Sequence, residues 1–342
     1  MSSRQDKAPV SPQAIRLSEL QARHATGIWE DLPPLVVVEP DPAAGAETGA
    51  EVDFLAQVPV ITALPPELSG TQAALSRRVD LQPVEADWPA ICRTMVATPH
   101  AARVLAQLLR ATESLPIGHA LTLESMAYGM LQAGSEYRRH HDTRPPLRAR
   151  PARARSAPLV LVRQDETRIR LTLNRRVRGN AINAALRAEL CDAFAAAGAA
   201  GTAICLDGLG RHFCIGGDLS EFGADPDPLH SHDLRLRRDL PRLVALSAGR
   251  LTAHVQGKVI GAGVELSSFA ARVVCEPGTT WRLPEVAMGL LPGSGGTVSI
   301  PRRIGRQRTL LMCLADRTLD VATALDWGLV DACTEGGVTP HS

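Results

Sequence analysis

Two glutamates and two bare turns carry the chemistry this sequence can perform. Glu265 directly follows Gly257-Lys-Val-Ile-Gly-Ala-Gly263, and Glu285 stands twenty residues later in Trp281-Arg-Leu-Pro-Glu-Val-Ala-Met-Gly-Leu-Leu-Pro-Gly-Ser-Gly-Gly296. Both have apolar neighbours, and a carboxylate in such a setting needs a partner or a task, because burying an unpaired charge is costly. A pair of acids can take a proton from water and deliver one to carbon, and two neighbouring carboxyls push their pKa values apart. The bland use of such residues is a structural salt bridge.

The turns are Cys-Ile-Gly-Gly-Asp-Leu, residues 214–219, and the 257–263 stretch. Each follows a predicted strand, and the second leads into a helix expected from Glu265 to Ala271. Turns without side chains let backbone N–H groups approach one ligand oxygen, and a helix N-terminus adds partial positive charge. That is how an oxyanion hole is built. Alone, each cluster is weak, since glycine serves tight turns and close packing more often than catalysis. Cys214 has no base arranged near it in sequence, so no nucleophile is assigned.

The elements that must hold these residues read as an α/β layer architecture. Leu159–Val162 and Ile169–Leu173 form a predicted hairpin, an alanine-rich helix follows from about Ala184 to Ala197, and strands are expected at Ala203–Leu206 and Leu251–Val255. Upstream, Arg144–Pro158 is rich in Arg, Pro and Ala and reads as a linker; its five arginines are taken as a solvated charge run. Thr98-Pro99 starts a predicted amphipathic helix with Ala102, Leu105, Leu108 and Leu109 on one face. A second helix is expected from Leu121 to His140, with Leu123, Met126, Ala127, Met130 and Leu131 as an apolar stripe, its methionines filling core space, and Glu136, Arg138 and Arg139 outside. Residues 1–97 carry strand-like runs at Pro34–Val38 and Val58–Thr62, and their fold is left open.

With 342 residues, 45% hydrophobic and 21% charged, the chain is globular and can hold one large domain or two small ones. A net charge of +1 gives no bulk attraction to nucleic acid or to an anionic membrane. The polar start lacks an apolar signal core and no apolar run is long enough to span a bilayer, so a cytoplasmic location is expected. Seven cysteines without a C-x-x-C pair suit reduced thiols, with neither disulfides nor a metal indicated.

Four stretches in this order, "LTLNRRVRGNAIN" (171–183), "HFCIGGDLSEF" (212–222), "AHVQGKVIGAGVEL" (253–266) and "WRLPEVAMGLLPGSGGTVSIPRRIG" (281–305), resemble the enoyl-CoA hydratase/isomerase (crotonase) superfamily over Leu159 to Cys333. The resemblance implies a crotonase-like spiral of ββα units over 159–342, preceded by a mainly helical N-terminal region. It implies an acyl-CoA thioester as substrate, with coenzyme A as part of that substrate, no separate cofactor, and a homo-oligomer, a trimer or dimer of trimers. Matched by position, the oxyanion-hole donors fall on Gly217 and Ala262, with Gly216, Gly261 and Gly293 against the substrate. Glu265 is expected to activate water and Glu285 to exchange a proton at the α-carbon. His212 and His254 sit where the family needs no imidazole and read as packing or surface residues.

The departures are Arg176 for a usual proline, Gln256 for a common asparagine, and a short segment before Thr202. The chain ends soon after Val330, where the family normally continues with helices, and "GHALTLESMAYGMLQAGSEYRRHHDTRPP" (118–146) looks like such a tail. The expectation is a permuted arrangement in which residues 98–143 cover the missing surface; the alternative is a remnant of a second, fused copy. Hydration of an enoyl-CoA is the activity implied. An isomerase, hydrolase or cofactor-independent oxygenase of the same fold, or a silent acyl-CoA binding protein, stands as the alternative.

Overall fold

A computed structural model describes residues 12–41, 49–68, 73–144, 157–222 and 227–334; apart from its ends, the Arg/Pro-rich stretch 144–158 lies outside them. The first part alternates strand and helix: β1 (Gln13–Arg16), α1 (Leu17–Thr26), β2 (Leu35–Glu39), α2 (Gly49–Val52), β3 (Ile61–Ala63) and α3 (Ala73–Arg78). The strands form a parallel sheet in the order β1-β2-β3, with Gln13 opposite Val36 and Leu35 opposite Ile61. Parallel pairing requires crossovers, and these, together with α3, bury Leu20, Leu55 and Leu75 with Ile15 and Val38 in a small core of their own. The two runs at Pro34–Val38 and Val58–Thr62 thus belong to one sheet, a third strand preceding them.

Four helices follow: α4 (Trp88–Ala97), α5 (Pro99–Thr112), α6 (Ile117–Gln132) and α7 (Ser135–Thr143). In α5 the expected face, Ala102, Leu105, Leu108 and Leu109, is buried. Thr98 precedes Pro99 as expected, but its side chain caps nothing. The cap is Glu136, whose carboxylate accepts from the amides of His100 and Ala101, both at 2.9 Å. The single helix expected from Leu121 to His140 is two, separated at Ala133–Gly134.

The expected packing face of α6 is only partly inward: Leu131 is buried and Ala127 packs against the core, but the other three positions are not. Leu123, Met126 and Met130 are 37%, 53% and 59% exposed, while Glu124 and Ser125 are buried with Ala120, Leu121 and Leu131. Apolar side chains usually decide which face turns inward, but here Glu124 meets a row of unpaired amides on the inner side, and hydrogen-bonded burial outweighs the exposure of flexible methionines. Glu136 is likewise buried rather than outside, because it is the α5 cap.

The remaining chain is β4 (Val160–Gln164), β5 (Arg168–Leu173), α8 (Ala184–Ala200), β6 (Ala203–Gly208), α9 (Pro228–Arg237), α10 (Leu240–Leu246), β7 (Leu251–Val255), β8 (Lys258–Ile260), α11 (Ala262–Ser267), β9 (Arg272–Cys275), β10 (Thr280–Arg282), α12 (Gly296–Ile304), α13 (Arg306–Leu314), α14 (Val321–Trp327) and β11 (Ala332–Cys333). A six-stranded sheet runs β11-β9-β7-β6-β5-β4 and a two-stranded one β10-β8. All pairs are parallel except the β4/β5 hairpin. Each later repeat gives one strand to the large sheet, one to the small sheet and then a helix, which is the crotonase-like spiral of ββα units. Cys214 joins the small layer through a parallel bridge to Val259. No described helix is long and apolar enough to cross a membrane.

Residues upstream of the spiral pack onto its later part: α5 lies on α12 and α13, α4 on α13, and α6 on α9, α10 and α12. Contact with the 305–330 region is thus made chiefly by α4 and α5. Asp80 pins this arrangement. It accepts from Thr62 N (2.8 Å), Arg110 Nε (2.7 Å) and Arg306 Nη1 (3.2 Å) and also meets Arg110 Nη2. Its side chain is 1% exposed, those of Arg110 and Arg306 4% and 8%. Removing one partner of such a buried group leaves unpaired charges in the interior. Asp80→Asn is therefore expected to cost about 3–5 kcal/mol of stability, read as a lowered midpoint in urea unfolding.

Candidate active site

The two bare turns converge. After β6 the chain passes through Cys214, whose carbonyl accepts from Ile260 N at 2.9 Å. Gly216 O then accepts from Ile182 N, and Asp218 N donates to Ile182 O, both at 2.8 Å. This alternation leaves the N–H of Gly217 without an acceptor among the described residues. In the facing turn Gly261 has φ +49, and a Cβ built there would lie 3.6 Å from Gly216 Cα. Helix α11 begins at Ala262, three residues earlier than expected, so the N–H of Ala262 heads the helix and has no partner one turn before it. Gly217 and Ala262 border the same cavity, of about 520 Å³.

The first turn is braced from behind. Asn180, fully buried with φ +56, donates from Nδ2 to the carbonyls of Leu209, His212 and Phe213 and accepts from Arg175 N. Arg175 in turn pairs with Asp218 at 2.6 Å. Gln256, in place of asparagine, donates to Gly208 O at 2.5 Å and Gly210 O at 3.1 Å, fixing the loop that leads to Cys214. Cys214 itself is buried, which pushes its thiol up to about 12, and His212 accepts from Lys258 N at 3.1 Å.

Both expected glutamates line this one cavity, buried at 2% and 8% exposure for Glu265 and Glu285. Glu265 Oε2 accepts from Ser294 N (2.6 Å) and Gly296 N (2.9 Å). Gly296 must lack a side chain, because a Cβ would come within 2.6 Å of Glu265 Cγ. Burial first, then the charges of Glu285 and Glu124, push the Glu265 carboxyl well above the usual range, while its two amide donors favour the ionised form. Burial pushes Glu285 up to about 7, and its Oε2 has no hydrogen-bond partner among the described residues. Glycine suits position 261 because its φ of +49 strains any side chain and a Cβ there would crowd Glu285 Oε1.

A third carboxyl and a phenol enter the cavity from α6. Glu124, 2% exposed, accepts from Gly295 N (2.7 Å) at Oε1 and from Thr297 N (3.0 Å) and Thr297 Oγ1 (2.7 Å) at Oε2. Burial lifts it to about 7. Tyr128 lies where a side chain at Gly293 would otherwise stand, its phenol pushed up by burial, with the Arg235 guanidinium 4.9 Å from its ring centroid. Gly293 thus faces Tyr128, not open space. Neither Glu124 nor Tyr128 was among the expected site residues. The signal was available: Glu124 is an acid in the middle of an apolar helix, the same feature that singles out Glu265 and Glu285. No group of three or more His, Cys, Asp or Glu among the described residues could hold a metal ion.

Chemically, the cavity offers two free amide donors on one wall and acids that cannot all be ionised together near neutral pH. Glu285 holds its proton up to about pH 7 when folded, against an ordinary value of 4.5. Stability from this group is therefore complete below about pH 4.5 and lost as pH rises through about 7. Glu285→Gln is expected to be more stable than wild type at pH 8, by up to about 3 kcal/mol, with the difference disappearing by pH 4, as measured by thermal melts across that range.

A family model described as enoyl-CoA hydratase/isomerase matches residues 163–336, a span that contains all four motifs and excludes α4–α7. The 2,3-dehydroadipyl-CoA hydratase of Escherichia coli (strain K12) is 33% identical over 174 residues, 50% of this chain and 67% of that protein. The peroxisomal bifunctional enzyme of Danio rerio is 34% identical over 136 residues, 39% of this chain and 18% of that one. Among solved structures, an enoyl-CoA hydratase from Thermoplasma volcanium aligns with a TM-score of 0.48 and 27% identity, over 52% of this chain and 72% of that chain. With all four motifs in that matched span, which covers half of its residues, the chain belongs to the enoyl-CoA hydratase/isomerase family.

Proposed function

We propose that this protein adds water across the 2,3 double bond of an enoyl-CoA thioester. One observation carries the reading: the unpartnered amides of Gly217 and Ala262 and the carboxyls of Glu265 and Glu285 border a single cavity. The thioester carbonyl oxygen accepts from both amides, which stabilise the negative charge that grows on it as water attacks the β-carbon. One such donor is worth on the order of 3 kcal/mol of barrier.

Glu265, whose Oε2 is already committed to two amides, is the base that takes a proton from water. Glu285, its Oε2 unpaired, is the acid that gives a proton to the α-carbon of the enolate. One oxygen–carbon and one hydrogen–carbon bond form, the π bond is lost, and the proton gained by Glu265 returns to Glu285 to reset the pair. No cofactor beyond the coenzyme A of the substrate enters this sequence. Helices α5–α7, supplied from upstream of the matched span, serve in this reading as the closing tail over α12 and α13.

A 2-enoyl thioester absorbs in the ultraviolet and its hydrated product does not, so turnover is read as loss of that absorbance with short and long acyl chains. Glu265→Gln and Glu285→Gln are each expected to lower kcat by about 10²–10⁴ with thioester binding retained. Turnover indifferent to Glu265→Gln would refute its role as base. Thioester binding without turnover in the wild type would favour a silent acyl-CoA binding protein, and double-bond migration without hydration an isomerase.

A further inference from the structure

Four successive amides at the head of α12 are taken alternately by two acids. Ser294 and Gly296 donate to Glu265, and Gly295 and Thr297 donate to Glu124. The turn has no slack: Tyr128 closes on Gly293, and Gly295, at φ +94, leaves no room for a Cβ beside the ring of Phe269. Ser299 Oγ also donates to the carbonyl of Glu265 at 2.7 Å. Glu124 has both oxygens engaged and so cannot itself exchange protons with a ligand without releasing the turn.

We infer that Glu124 is a positioning residue for Glu265: by gripping amides 295 and 297 it locks the turn whose amides 294 and 296 aim the Glu265 carboxyl into the cavity. The helical unit from outside 163–336 is on this account a working part of the active centre and not only a cover. This rests on the proposed role of Glu265 as base, and its test is chosen to be separable from that role. Glu124 also acts by charge, raising the Glu265 carboxyl. The other titratable groups that act on or feel Glu265 are Glu285, Tyr128, Cys214 and Cys313; Asp239 and Arg235 lie within electrostatic reach of Glu124.

The test uses the full chain labelled with ¹³C at the glutamate side-chain carboxyl, Glu265 being assigned by its loss in Glu265→Gln. In Glu124→Gln the Glu265 midpoint is expected to fall by at least about half a pH unit. In the same variant kcat should fall about 10- to 100-fold, KM should change less than about threefold, and the acid limb of kcat/KM should move to lower pH. Glu124→Asp, which keeps the charge, should restore the midpoint in part. Glu136→Gln is the matched control: it removes an equally buried carboxylate cap from the same helical unit and should lower the melting temperature while leaving midpoint and pH limb in place. A kcat unchanged or a midpoint unmoved in Glu124→Gln, or either moved equally in Glu136→Gln, would overturn the inference. Should Glu124→Gln not fold, Thr297→Val loosens the same grip, and an unchanged kcat would overturn it. If the wild type hydrates no enoyl-CoA, the hydratase reading falls while the carboxyl midpoint still decides for or against Glu124.

Discussion

The wall of this cavity depends on how the start of α12 is satisfied. The first amides of any helix have no acceptor within it, and at this one they are buried, so water cannot serve them. Two carboxylates do so instead, Glu265 from α11 and Glu124 from α6, each taking alternate N–H groups at 2.6–3.0 Å. Charge-assisted bonds of this kind are about twice as strong as neutral ones, and the positive end of the helix favours both acids. The same bonds favour the ionised forms of two carboxyls that burial pushes toward the neutral form. Removing either acid leaves two of these amides without an acceptor in the interior.

That arrangement explains why so much of the molecule is devoted to holding distant segments together. Glu124 reaches its amides only if α6 stays seated on α12, and α6 follows α5, which is fastened by Arg110 to Asp80. Asp80 is held in turn by Arg306 at the start of α13 and by Thr62 in the N-terminal sheet. A buried ion cluster of this sort is a poor way to gain stability, since desolvation cancels most of its attraction. Its merit is geometric: the cluster is satisfied in one arrangement only, which fixes how the upstream helices sit on the spiral.

The half that carries the two bare turns and their glutamates was legible in the sequence because its parts are local. Bare turns, the acids that follow them and the strands that precede them lie within short windows, so Gly217, Ala262, Glu265 and Glu285 could be named and are found around one cavity. Helix α11 starts three residues before the expected point: glycine and alanine at 261–263 read as turn, although Gly261 at φ +49 is what lets the helix begin at Ala262. The helical half was legible only as helices. Its inward face was assigned by hydrophobicity, which orders Leu123, Met126 and Met130 inward, whereas the structure buries Glu124, Ser125 and Tyr137 and leaves those three exposed. The partners that decide the matter, Gly295 and Thr297, lie 171 and 173 residues away in the chain, and no local pattern carries them.

Three acids around one cavity also set a limit on how stable the protein can be. Burial raises Glu124 and Glu285 to about 7 and holds Glu265 well above the usual carboxylate range, so protons must be shared among them near neutrality. A site of this kind is destabilised by the property that makes it useful, because a carboxyl that trades protons at neutral pH must be one that the fold holds at a loss when ionised. The amide pairs at 294–297 confine that loss. They anchor one oxygen of Glu265 and both of Glu124, whereas Glu285 keeps an Oε2 with no partner among the described residues.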